Sequence, residues 1–344
     1  MINLYQRSWS RESLGRYVGH PEQVAGIRLV EGADGVERSV RILQVWTGSG
    51  LSFNVLADRG MDISTCQFKG VSLTWRSPVG DAHPAYYDAA GANWLWTFQG
   101  GLVVTCGLDN FGPATQDEGE DVGQHGRASS LPAKAVSYQT YWKDDAYQLE
   151  ISGEMRQTRV YGVNLALRRR ITTALGSNKI RIEDRVTNEG FSPQPHMLLY
   201  DINLGFPLLS EHARLKFEVE KTVSWDELAR QEIDQWMVFE PPSADYVERD
   251  YTHTPRADEN GWAKLELENP ELKLGLQLSF DQRTLPYLAQ WKMMREGLYV
   301  LAVQPMNTHV WGGRAEVRKQ NALPYLQAGE SRNYTLEIEV IEYS

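Results

Sequence analysis

Apolar and polar residues alternate along most of this chain with a period of two, the spacing that sends successive side chains to opposite faces of a strand. Residues 37–48 (ERSVRILQVWTG) alternate in this way, Gly48-Ser49-Gly50 interrupts, and 51–56 (LSFNVL) resumes. That pattern predicts a β-hairpin. The same grammar returns at 146–157, 162–175 and 179–187, the last two separated by Leu175-Gly176-Ser177-Asn178. It appears again at 262–268 and 272–280 around Asn269-Pro270-Glu271, and at 296–304 and 332–342. Helical periodicity is weak, and only 86–99 and 224–231 offer a short apolar face. Many short strands punctuated by turn signals predict an all-β protein, a large antiparallel β-sandwich with a few short helices. No repeat, low-complexity tract or linker divides the chain, so one domain over 1–344 is expected, with 1–24 as an N-terminal extension. Two stretches rich in Gly, Asp and Pro, 107–132 and 241–260, read as long loops of the kind that carry function.

Charge narrows the partners. With 35 Lys and Arg against 45 Asp and Glu the net charge is −10, a field that repels nucleic acid and anionic membrane surfaces. The densest basic run, Arg168-Arg169-Arg170, falls inside a predicted strand and reads as a solvated or paired strand face. Cys66 and Cys106 stand in apolar or small-residue settings outside any metal-type spacing, as two buried free thiols in a reducing compartment would. The N-terminus has no apolar signal core and no run is long enough to span a bilayer, so a cytoplasmic location is expected. Eleven Trp and sixteen Tyr suit sheet faces and also stack on sugar rings.

Five polar clusters interrupt the apolar pattern. Asp58-Arg59-Gly60-Met61-Asp62 gathers two carboxylates and a guanidinium around a glycine turn. Gly100-Gly101 leads through an apolar run to Asp109-Asn110, which suit sugar hydroxyls. His125-Gly126-Arg127 lies within the 107–132 loop. In Met197-Leu198-Leu199-Tyr200-Asp201-Ile202-Asn203 the odd positions project together, so Asp201 and Asn203 share one face of an otherwise apolar strand. A carboxylate there is costly unless paired or open to a cleft. Gln304-Pro305-Met306-Asn307-Thr308-His309, followed by Trp311 and Arg314, has the make-up of a cleft rim. No G-x-S-x-G elbow, Walker loop or dinucleotide fingerprint occurs.

In this order the clusters resemble the galactose mutarotase-like superfamily, closest to its aldose 1-epimerase-related members, over roughly residues 25–342. His125-Gly126-Arg127 looks like the family's Leu-His-Gly-Gly segment, whose histidine contacts the sugar near its ring oxygen. Tyr200-Asp201-Ile202-Asn203-Leu204-Gly205 looks like the strand that carries the family's acid histidine, and Leu301-Ala302-Val303-Gln304-Pro305 like the strand that carries its base glutamate. Leu326-Gln327-Ala328-Gly329-Glu330 looks like the segment before the last strand. The resemblance implies the supersandwich fold and interconversion of sugar anomers by acid–base catalysis.

The two catalytic positions depart from that pattern, since they hold Asp201 and Gln304, and a neutral amide accepts no proton at neutral pH. His196, five residues before Asp201, faces the opposite side of an extended strand and is a poor substitute. A reassigned pair follows, His125 and Asp201 as the catalytic groups, with Arg59, Asp109, Asn203, Gln304, His309 and Arg314 holding the sugar. No cofactor is expected. A divalent ion on His125, His196, Asp201 or His309 stays open, as do other isomerase, epimerase or lyase chemistry on the same scaffold and sugar binding without turnover. The expected partner is a small sugar, and free sheet edges would admit a homodimer.

Overall fold

The computed structural model describes residues 2–309 and 311–343. Three antiparallel sheets dominate. A five-stranded sheet runs in chain order through Gly26–Glu31, Arg41–Trp46, Leu51–Leu56, Asp62–Phe68 and Val71–Ser72. An eight-stranded sheet begins with four consecutive strands, Lys134–Lys143, Ala146–Thr158, Asn164–Ala174 and Lys179–Asn188. It continues through the C-terminal strand Ser331–Glu342 to Leu274–Asp281, Trp262–Asn269 and Arg214–Phe217. The six-stranded sheet has the order Val219–Val223, Arg249–Pro255, Tyr287–Arg295, Leu298–Met306, Met197–Gly205 and Val104–Leu108. The architecture is the large antiparallel sandwich that the alternation predicts.

The alternating segments form strands close to their expected bounds because a one-residue slip would send a whole hydrophobic set into water. Differences arise where polar residues mask the pattern. The 241–260 stretch contains Arg249–Pro255, an interior strand of the six-stranded sheet. Its Arg249, Thr252 and His253 are buried, with partners in Glu232, Trp225 and Gln290. The 107–132 stretch contains a hairpin, Thr115–Asp117 with Glu120–Val122. Residues 86–99 give a short 3-10 turn at Asn93–Thr97 rather than a longer helix, while 224–231 yields the helix Glu227–Gln231, capped by Asp226.

The six-stranded sheet buries both faces. Leu198, Tyr200, Ile202, Leu204, Leu301 and Val303 point into a core shared with the inner faces of the other two sheets. Leu199, Val104, Cys106, Val300 and Met306 point the other way, against Trp75, Trp94 and Phe98. Each fully buried aliphatic side chain contributes roughly 1.5–3 kcal/mol relative to exposure, so both faces hold this sheet in place. In the basic run, Arg168 and Arg170 form half-exposed ion pairs, but Arg169 is fully buried. It bonds Asp62 from the five-stranded sheet at 2.9 Å and Asp184 at 2.6 Å, while Tyr200 from the six-stranded sheet donates to Asp184 at 2.7 Å. One guanidinium thus joins all three sheets, a role that its charge hid in the sequence.

Candidate functional site

The second face of the six-stranded sheet carries the polar residues. The strands Met197–Gly205 and Leu298–Met306 pair antiparallel, and Gln304 Nε2 donates to Asp201 Oδ1 at 2.8 Å across them. In the same row Val104 lies opposite Asp201, and Ala289 opposite Gln304. The next row sets Asn203 opposite Ala302, which in turn lies opposite Trp291. The row on the other side reads Cys106, Leu199, Met306 and Tyr287. Asp201, Asn203 and Gln304 therefore share one face, as strand periodicity predicts. The methyl groups of Ala289 and Ala302 lie next to Gln304 and Asn203.

Aromatic rings enclose this face. Trp75 lies edge-on to Trp291 with centroids 6.2 Å apart and 5.7 Å from Phe98, which stacks on Trp94 at 4.3 Å. Trp94 in turn meets His125 at 4.5 Å, and Trp311 lies 5.9 Å from the same imidazole. Gly126 bridges to Gly107 of the edge strand, so His125 is two strand spacings from the Asp201 strand, roughly 10 Å. The two do not touch. His309 sits at the rim, its ring 5.0 Å from Tyr287.

Burial sets the protonation states. It pushes the Asp201 carboxyl up to about 6, against the hydrogen bond from Gln304. It pushes His125 down to about 4, so the imidazole is neutral at pH 7. Gly112 N donates to His125 Nδ1 at 3.4 Å, which leaves the ring proton on Nε2. His196 is also neutral, but both its nitrogens are engaged, with Leu108 O at 2.9 Å and Tyr334 Oη at 2.7 Å. It is a core histidine.

The other expected ligand-holding residues lie elsewhere. Arg59 is fully buried and donates to the carbonyls of Ala82 at 2.7 Å and Thr97 at 2.8 Å, tying down the segment that carries Trp94. Arg314 is held by Asp117 at 2.6 Å, Glu120 at 2.8 Å and Asp109 at 3.2 Å. Asp109 and Arg314 thus bind each other and line a separate cleft of about 800 Å³ with Arg127, Tyr161 and Tyr325, away from Asp201 and Gln304. Among the described residues no three His, Cys, Asp or Glu side chains converge as a metal site would require. Neither is any helix there long and apolar enough to cross a membrane.

Three residues on or near the enclosed face, Trp94, Trp291 and Gln99, escape the alternation and the polar clusters of the sequence. Trp94 and Trp291 come from a 3-10 turn and from a strand that the alternation did not mark. Gln99 is fully buried and neither atom of its amide has a partner; Asn203 Oδ1 is likewise unpartnered. A polar residue between Phe98 and Gly100-Gly101 was the available signal for Gln99.

The sequence profile of the family described as a domain of unknown function, DUF4432, matches residues 37–340. No functionally curated protein matches the chain. Among solved structures, a protein of Klebsiella pneumoniae subsp. pneumoniae with the provisional name aldose 1-epimerase superposes with a TM-score of 0.88 at 25% identity, covering 94% of this chain and 87% of its own. A galactose mutarotase-like protein of Clostridium acetobutylicum superposes at 0.65 with 12% identity, over 93% of this chain and 99% of its own. A galactose 1-epimerase of Lactobacillus acidophilus superposes at 0.60 with 10% identity, over 93% and 100%. At these low identities the last two show the fold alone. The chain belongs to the DUF4432 family and has the galactose mutarotase-like fold.

Proposed function

We propose that this chain is an aldose 1-epimerase-like enzyme that interconverts the anomers of a sugar on the enclosed face of its six-stranded sheet. The observation that carries the reading is the Asp201–Gln304 pair: a buried carboxyl oriented by a neutral amide, on a face walled by tryptophans. Mutarotation needs the proton of the anomeric hydroxyl removed and a proton delivered to the ring oxygen. Above about pH 6 Asp201 is ionised and takes the first proton. Both oxygens are bonded to C1, so the same carboxyl returns that proton to the ring oxygen as the C1–O5 bond breaks. Rotation about C1–C2 and reversal of these steps give the other anomer.

The neutral state of His125 changes its part from the one expected of an acid. A neutral imidazole N–H donates a hydrogen bond to the ring oxygen and favours the charge that develops there, without surrendering its proton. Gln304 fixes the carboxyl, Asn203 holds a neighbouring hydroxyl, and His309 closes the rim. Proton NMR of a freshly dissolved α-sugar tests the reading. Anomeric exchange faster with enzyme than with buffer, lost in Asp201→Asn, supports it. A new product in the spectrum would replace it with lyase or isomerase chemistry, and ligand-induced thermal stabilisation without exchange would replace it with sugar binding alone.

A further inference from the structure

We propose that the cleft of about 800 Å³ beside the His125-Gly126-Arg127 segment is a second ligand site, which takes a sugar acid: a saccharide bearing a single carboxylate, with the anion on Arg127 and a ring on Tyr161. The site is independent of the Asp201 chemistry, because the segment serves two sides. His125 packs against Trp94 and Trp311, whereas Gly126 and Arg127 line the cleft. Arg127 N donates to Gly107 O at 2.8 Å, and Gln157 Oε1, also in the lining, accepts from Leu108 N at 3.0 Å. The end of the strand Ala146–Thr158 is thus tied to the Arg127 segment through residues 107 and 108. A volume near 800 Å³ lies at the large end for small-molecule pockets and is ample for a saccharide.

The charges in the lining point to one anion. Four of its five guanidiniums are held by carboxylates: Arg156 by Glu189, Arg159 by Glu120, and Arg314 and Arg318 by Asp117. Arg127 has no carboxylate partner among the described residues, since Asp109 in the same cleft bonds Arg314 instead. Arg127 is nevertheless positioned, with its guanidinium 5.9 Å from the centre of the Tyr87 ring, and Tyr87 Oη donates to Gly126 O at 2.8 Å. A fork held in this way matches one carboxylate. Glu118 and Asp121 line the same cleft and are exposed. They repel a multiply charged anion such as phosphate but accept hydrogen bonds from hydroxyls. One negative charge and several hydroxyls make a sugar acid. The rim supplies an aromatic face. Tyr161, at the tip of the hairpin that Thr158 and Asn164 close, is fully exposed and has φ of 56°, the left-handed region where a bulky side chain is an outlier. Gly162 stands next to it but is needed elsewhere: a Cβ there would meet Arg159 Nε at 2.5 Å, and Arg159 reaches to Glu120. Strain is therefore kept at a tyrosine on the rim, where its ring can stack on a pyranose.

Calorimetric titration tests the site with D-galacturonate and D-glucuronate against D-galactose and D-glucose. Cyclohexanecarboxylate serves as the control, since it has the ring and the charge without the hydroxyls. At least one uronate should bind about tenfold or more tighter than its neutral parent and than the control, in wild type and in Asp201→Asn alike. Arg127→Ala should abolish that preference. Tyr161→Asn should weaken the uronate about threefold or more without lowering Tm, because asparagine suits the left-handed region. No preference for either uronate would overturn the proposal and leave the epimerase reading standing. Equal binding of cyclohexanecarboxylate would overturn it in favour of a simple anion site. A preference retained in folded Arg127→Ala, or lost in Asp201→Asn, would put the uronate on the enclosed face and overturn the cleft. Should Arg127→Ala fail to fold, Tyr161→Asn decides, and unchanged uronate affinity there would overturn the proposal.

Discussion

Gln304 donates one hydrogen bond of 2.8 Å to Asp201 from the adjacent strand, and the carboxyl that receives it is buried to within 2% of its surface. The amide holds the carboxyl in one orientation without adding charge. Burial, the larger effect, raises its pKa to about 6. The exchange rate should therefore climb with pH through about 6 and level off above it, because only the ionised form accepts the anomeric proton. A pH profile of NMR exchange rates checks this, and a profile flat from pH 5 to 8 would remove Asp201 from the chemistry.

Gln304→Glu would set a second carboxyl about 2.8 Å from the first, and two such groups cannot both ionise. The rise of the rate profile should move to higher pH, with a lower rate at pH 7. The same measurement reads it.

Asp201→Asn should lose activity and gain stability at alkaline pH. The folded-state pKa is raised above the ordinary 3.8, so the native protein binds the proton more tightly than the unfolded chain does. Stability therefore falls as pH rises between these values. Removing the charge should return up to about 3 kcal/mol at pH 8, read as a higher urea midpoint. A variant less stable than wild type at pH 8 would contradict the burial argument.

Acid should act in the opposite sense through the buried histidines. His125, His196 and His253 are each lowered from 6.5 to about 4, chiefly by burial. Their neutral forms are favoured in the fold, so stability is complete above 6.5 and is lost as pH falls towards 4. Each histidine costs up to about 3 kcal/mol over that window, which outweighs the opposing change at Asp201. Thermal melts between pH 7 and 4 should show a steep fall in Tm, smaller in His196→Phe than in wild type.

Arg169→Met tests the junction of the three sheets. It leaves Asp62 and Asp184 buried without their shared partner, and removing one member of such a cluster costs about 3–5 kcal/mol. Urea unfolding should show a loss of that size. A near-neutral result would mean that Asp62 takes up a proton, the direction in which burial already pushes it.

The sequence by itself determined the sheet-rich architecture, because alternation with period two and glycine turns are local features that pair strands in only one workable register. It also determined that Asp201 and Asn203 share a face, since that follows from strand geometry alone. It placed Gln304 on a strand but could not say that this strand lies beside Met197–Gly205, a pairing between residues 103 positions apart. The hydrogen bond belongs to the tertiary structure. Arg59, Asp109 and Arg314 looked free to hold a ligand because a sequence shows charges without their partners. Folding engages them with carbonyls and with one another. Arg169 belonged to a run that read as a solvated or paired strand face; it is paired, with Asp62 and Asp184, and fully buried, since three sheets meet around it. Protonation was equally out of reach. The low pKa of His125 and the high one of Asp201 come from burial by residues distant in the chain, among them Trp94 and Trp311 around the imidazole.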